Sequence, residues 1–301
     1  MTNTSFPPLP LHEWKATKET LHRWVQIVGK IRMELMPPQN HWWHVPLYVT
    51  THGLGTGPIP YNGKRLEITF DFHSHQLKVD LSDGQEKRIE LKDGLSVSRF
   101  YESLFNILEH LDISVSIRAK PYDLGDDRPF GDDNDHNSYD KKYVERFWHI
   151  LLKVDALFRK FNQSYCGKVC PVQLYWHSFD LAVTRFSGAK GPPMPDGNTV
   201  NRKAYSHEVI SFGFWAGDDN ITEPAFYSYT YPAPDNLMEY PLKPSAAYWS
   251  NQSGSPMALL MYEEVCTSDE ADNMILSFLD SAYQAGIKAA NWDTEALHLE
   301  M

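Results

Sequence analysis

Apolar residues recur at helical spacing over 17–36, where Leu21, Trp24, Val25, Val28, Ile31 and Leu35 share one face and Pro37-Pro38 impose a stop. The same period predicts helices over Val97–Leu111, Tyr143–Phe161 and Asp269–Ala285. Elsewhere the period shortens to two. Strands are predicted over Trp42–Thr50, Leu66–His75, Gln76–Leu81, Lys87–Leu91, Ile113–Ile117, Glu208–Trp215, Ala225–Tyr231 and Ala258–Glu263. A Ser82-Asp83-Gly84 turn and two Gly/Pro-rich loops, GLGTGPIPYNGK and GAKGPPMPDGNT, punctuate them.

These elements form two similar runs. Shifted by 134 residues, Trp42–Pro58 falls on Trp176–Pro192 with Trp42/Trp176, Leu47/Leu181, Val49/Val183, Thr50/Thr184, Gly57/Gly191 and Pro58/Pro192 identical. In the same order, ERFWHILLKV falls on HRWVQIVGKI, and Phe212–Phe214 on Phe70–Phe72. The expectation is an α+β fold: a tandem duplication of a helix-strand-loop-strand-strand-helix unit, with mainly antiparallel sheets and helices grouped on one side. Residues 1–122 would be the first repeat and 141–301 the second, packed as one body. Between them, 123–140 holds seven aspartates and reads as an acidic, solvated connector without the ligand spacing of a calcium loop.

With 42% hydrophobic residues the chain can fill a core, and its apolar runs are too short for a membrane span. A net charge of -11 repels phosphate backbones and anionic lipid, so nucleic acid and membrane are not expected as partners. Three cysteines and no recognisable leader suit a reducing compartment, which predicts the cytoplasm. A small molecule is the expected partner. The nucleotide-binding, serine-hydrolase and zinc-protease signatures GxGxxG, GxxxxGK[ST], GxSxG and HExxH do not occur.

The stretches NHWWHVPLYVT, SFDLAVTRFSG and AYSHEVISFGFW resemble a family of bacterial proteins catalogued as a domain of unknown function, over essentially the whole chain. The resemblance brings no activity, cofactor or catalytic residue, so candidate chemistry comes from the residues themselves.

Strand alternation puts Phe70 and Phe72 on one side of ITFDFHSH and Asp71, His73 and His75 on the other. A carboxylate and two imidazoles suit zinc or non-haem iron, and the corresponding face of the second run, Ser211, Gly213 and Trp215, carries no ligand. A polar, half-exposed strand face explains the same pattern. His44 could complete the cluster if its strand pairs with Leu66–His75, and His52 is the alternative. In the second run, Arg185 beside a Gly/Pro loop suits an anion, or the tying down of its own loop. His207 could act as a general base oriented by Asp180 or Glu208. Tyr227, Tyr229 and Tyr231 alternate onto one face, as cross-strand packing or as the wall of a pocket.

The leading expectation is an enzyme of metal-assisted or His/Asp acid-base chemistry acting on a small polar molecule. Its catalytic candidates are His44, Asp71, His75 and His207, with metal ligands His73, His75 and Asp71, and Arg185 and Asp180 for substrate. The alternative is a non-catalytic ligand-binding module whose aromatic groove is lined by Trp43, Trp215, Tyr227 and Tyr229.

Overall fold

The computed structural model describes residues 6–298 except 196, 198, 220 and 253. Helix α1, Leu11–Leu35, starts earlier than the apolar period alone indicates, because Leu11 and Trp14 extend its buried face behind the N-capping Pro10. It ends where predicted: Met36, preceding Pro37, is forced into extended backbone. Trp24 stacks on Phe100 at 5.0 Å, and Trp14 meets Phe147 at 5.2 Å, so α1 touches both halves of the chain.

The first half folds into strands β1 (Tyr48–Val49), β2 (Gly53–Gly55), β3 (Ile59–Tyr61), β4 (Lys64–Asp71), β5 (Gln76–Leu81) and β6 (Glu86–Glu90), then helix α2 (Val97–His110). The strands are antiparallel in the order β1-β2-β4-β5-β6, and β3 lies against the start of β4. Leu66, Ile68, Phe70, Leu77 and Val79 form the buried face, where the Phe70 ring lies 6.1 Å from Phe100 of α2.

The second half opens with helix α3 (Lys141–Asn162). It continues through β7 (Gln173–Tyr175), β8 (Asp180–Lys190), the short helix α4 (Thr199–Ala204), β9 (His207–Trp215), β10 (Ala225–Tyr231), β11 (Tyr248–Ser250) and β12 (Met257–Met261). Helices α5 (Tyr262–Cys266) and α6 (Ala271–Ala289) close it. Its sheet is antiparallel in the order β11-β12-β10-β9-β8-β7. Leu181, Val183, Phe212, Phe214 and Phe226 share the face under α3 and α6. The α+β class and antiparallel pairing are therefore as the sequence indicates.

The two sheets meet edge to edge. Leu47 and Leu174 exchange both backbone hydrogen bonds, at 2.8 and 2.9 Å, which joins β1 to β7. The Trp176 indole N–H donates to the Val45 carbonyl at 3.1 Å beside this seam.

Each half runs helix, antiparallel strands, helix, but the aligned stretches do not occupy matching places. Leu47–Val49 lies at the seam, whereas Leu181–Val183 lies one strand further in, within the eleven-residue β8. Several local expectations also change. Trp42–Thr50 is not one strand, because His41 and Trp42 adopt left-handed φ of 53° and 62° within a 3-10 turn at Asn40–Trp42. Ile113–Ile117 joins no sheet; the Ser114 N–H instead donates to the Tyr61 hydroxyl at 2.8 Å. Most of the stretch 123–140 is exposed or half-buried, but three of its residues anchor it. Phe130, Asp133 and Tyr139 are buried, and Asp133 and His136 accept the first backbone N–H groups of α2. Asp126 and Asp133 there pair with Arg23, while Asp123, Asp127, Asp132, Asp135 and Asp140 are exposed.

Candidate functional site

The proposed ligand trio of the first half does not share a strand face. Strand β4 ends at Asp71, whose Oδ1 accepts the His73 and Ser74 backbone N–H groups at 2.9 and 2.8 Å. This side-chain-to-backbone turn folds 72–75 into the hairpin tip, and His75 takes a φ of 50°. The other Asp71 oxygen is paired with Lys78. Burial alone would raise this carboxyl, but the Lys78 ammonium and the Ser74 N–H hold it at about 2. His75 sits between the Tyr139 hydroxyl and Glu145 Oε1, both at 3.1 Å, and His73 is exposed with its ring edge toward Trp148.

His44 lies elsewhere, stacked on Trp42 and accepting the Gln39 N–H at 3.2 Å. A zinc or iron ion would have to break the Lys78 pair and pull His75 from both partners, so these residues do not fit the metal. Among the described residues, the trio whose ligand atoms approach within 4.8 Å of one another is Asp126, Asp133 and His136. Its charge is already met by Arg23 and Arg128, at 3.3 and 3.6 Å from Asp133.

The second sheet brings three candidates together. Register alone puts Gln173, Ala182, Gly213 and Tyr227 in one row across β7, β8, β9 and β10. Tyr175, Asp180 and Trp215 form the row on one side of it, and Thr184, Ser211 and Tyr229 the row on the other. All of these side chains stand on the face opposite the Leu/Phe core. Along β10, Phe226, Ser228 and Thr230 are buried while Tyr227, Tyr229 and Tyr231 remain half-buried.

The middle residues are small because the tyrosines lie over them. A Cβ on Gly213 would stand 2.3 Å from the Tyr227 ring. The Tyr227 ring thus crosses β9, and its hydroxyl donates to Asp180 Oδ2 on β8. Tyr229 runs parallel, 6.2 Å away with ring planes 10° apart, and its hydroxyl meets that of Tyr205 at 3.1 Å. Ser178 donates to the second Asp180 oxygen. Burial and, for Tyr227, the neighbouring Asp180 charge hold both phenols well above their ordinary pKa, so they are neutral donors at physiological pH. Gln173 is 0% exposed; its amide N–H donates to the Tyr175 hydroxyl at 2.9 Å, and its Oε1 has no partner.

Gly213→Ala is expected to lift Tyr227 off β9 and break its bond to Asp180. The loss should be about 2 kcal/mol, typical of forcing an extra methyl into a filled space, measured as a lower urea midpoint. Retention of the wild-type midpoint would contradict the close ring contact.

The same face ends in an aromatic corner. Phe186 lies against His41, ring centroids 4.6 Å apart, and against Trp43 at 5.9 Å. His41 donates from Nδ1 to the carbonyls of Lys203 and Ala204 at the end of α4, which leaves Nε2 to accept from Lys168 Nζ at 2.6 Å. Burial, then the Lys168 charge, lowers the His41 pKa. The predicted base His207 is 5.5 Å from the His41 ring and bonds Ser206, not Asp180.

Arg185 points to the opposite face. Its guanidinium lies 3.6 Å from the centre of the Phe161 ring, donates to Asn162 Oδ1 and the Phe161 carbonyl, and is 2% exposed. It ties the end of α3 to the sheet and stands away from the polar face; burial lowers its pKa only to about 10. Sequence reasoning missed His41, Lys168, Tyr205 and Gln173. Only the positive backbone angles at the His-Trp pair and the register of β7 reveal them.

Comparison with known proteins adds a family and no activity. The model of a family described as Family of unknown function (DUF5996) matches residues 6–299. Among curated proteins none matches, and among solved structures none matches. Among the described residues, no helix is long and apolar enough to cross a membrane.

Proposed function

The chain belongs to that family of unknown function, and from this premise we propose that it is a small-molecule-binding protein whose site is the polar, aromatic face of the second sheet. The observation that carries this reading is the pair of parallel phenols lying across small residues, half-buried, beside a buried Gln173 oxygen with no partner. A buried acceptor left unsatisfied costs about 1–3 kcal/mol. A ligand stacked on the rings and donating to Gln173 would recover that energy. Aromatic rings with a few fixed polar groups are the usual lining of such sites.

Acid-base chemistry in the first half lacks a comparable setting, since Asp71 and His75 are occupied by Lys78, Tyr139 and Glu145. The reading is tested on the full chain carrying 5-fluorotryptophan, with the Trp215 fluorine signal assigned through Trp215→Phe. Titration with indole, phenol, benzyl alcohol and benzylamine is expected to give a saturable shift of that signal with at least one of them. Gly213→Ala should weaken it about tenfold, the equivalent of one displaced contact. A Trp215 signal that none of the four moves would sink the proposal.

A further inference from the structure

The charge of the ligand can be read from the same sheet face, and this step rests on the binding proposal above. Asp180 is 5% exposed, yet both its oxygens accept only from hydroxyls, those of Ser178 and Tyr227. Among the described residues no lysine or arginine reaches it within ion-pair distance. The neighbouring imidazole of His177 is kept below its ordinary pKa by burial, against the pull of Asp180, and among the described residues no histidine lies within ion-pair distance of Asp180. The carboxylate therefore lacks the cationic partner that a buried acid ordinarily has.

The surroundings suit a cation. Tyr227, Tyr229 and Tyr175 present neutral rings, and Trp215 adjoins Asp180 through the β8–β9 register. Faces of electron-rich rings around a single carboxylate attract ammonium groups, and the attraction grows as water is excluded. The unpartnered Gln173 Oε1 adds an acceptor, which matches a donor and repels a carboxylate or phosphate. From the uncompensated carboxylate and its aromatic surround we infer that the ligand is an organic cation, a protonated amine carrying an aromatic or flat apolar group, with Asp180 as its counter-ion.

Benzyltrimethylammonium, benzylamine, benzyl alcohol and benzoate separate the charge of the ligand from its shape. Isothermal titration of the full chain, read together with the fluorine signal of Trp215, is expected to show a cation binding at least about tenfold more tightly than benzyl alcohol, with benzoate weaker still. Asp180→Asn should remove that preference, so that the cations bind no more tightly than benzyl alcohol to the same variant. Tyr227→Phe, which keeps the carboxylate and loses the neutral hydroxyl, should preserve the preference, and it provides a readout if the Asn variant does not fold. Equal affinity for benzyl alcohol and the cations, or a cation preference that survives Asp180→Asn, would overturn the charge assignment and leave the binding site standing. A Trp215 signal unmoved by all four would remove the binding site and the charge assignment together.

Discussion

Acidification from pH 7 to pH 4 is expected to cost the fold about 3 kcal/mol through one imidazole. His22 is stacked on Phe179 at 4.9 Å and donates from Nε2 to the Trp176 carbonyl at 2.9 Å, clamping α1 to the turn between β7 and β8. Burial, reinforced by the Lys18 and Arg23 charges and opposed by the carbonyls of Trp176 and His177, lowers its pKa from 6.5 to about 3. A histidine whose folded pKa lies below the unfolded one favours the folded state fully only above the unfolded value. Below pH 6.5, unfolded chains take up a proton that folded chains refuse, and the stability is lost progressively toward pH 3. Other histidines titrate too, so the comparison is with His22→Gln, which retains an N–H donor. The stability difference between wild type and variant, from urea unfolding, should narrow by about 3 kcal/mol between pH 7 and pH 4. A constant difference would mean that His22 is not the group responsible.

The adjacent residue gives the second large effect. Arg23→Met is expected to destabilise the protein by about 3 kcal/mol, because it strips a buried carboxylate of its partner. Arg23 Nε lies 3.3 Å from Asp133, which is 1% exposed, and its Nη2 lies 3.3 Å from Asp126. Arg128 at 3.6 Å and the His136 ring at 2.8 Å remain, yet both are partly exposed and compensate incompletely. The damage spreads to α2, whose Ser98 N–H is accepted by the Asp133 carbonyl at 2.9 Å. Asp133→Asn keeps an acceptor for the His136 N–H and removes the charge, so the double variant should regain more than half the loss. Arg88→Met serves as the control. Its pairs with Asp80 and Glu86 are exposed, and its loss should cost under about 1 kcal/mol. Equal effects from Arg23→Met and Arg88→Met in chemical denaturation would contradict the buried network.

Hydrophobic period carried most of the fold. The faces of Phe70 and Phe212 and the apolar sides of α1 to α3 and α6 follow from spacing alone, since burial of one face is what the spacing encodes. Alternation also put Tyr227 and Tyr229 on one face. It could not join them to Asp180, because that contact depends on β8, β9 and β10 sharing a register across 47 residues of chain. The Asp71 trio misled for the opposite reason: a period of two was read beyond the end of its strand. An aspartate followed by His73 and Ser74 is also a turn signal, because a short carboxylate can accept the next N–H groups. Asp133 read as one more solvent-facing charge among the aspartates of 123–140 because its partner, Arg23, lies 110 residues earlier on α1. The Gln173 acceptor had no sequence signal. Its isolation exists only once β7 has docked.

The seam between Leu47 and Leu174 bears on how the chain avoids sticking to itself. Two separate antiparallel sheets would present several unpaired borders, each a template for another copy. Pairing β1 with β7 conceals two of them. Of the remainder, β6 carries the charged run Glu86–Arg88 and Glu90, and β11 is only three residues long. Separating the halves would uncover, at β1 and β7, short borders flanked by Leu47 and Leu174 that carry no such charges.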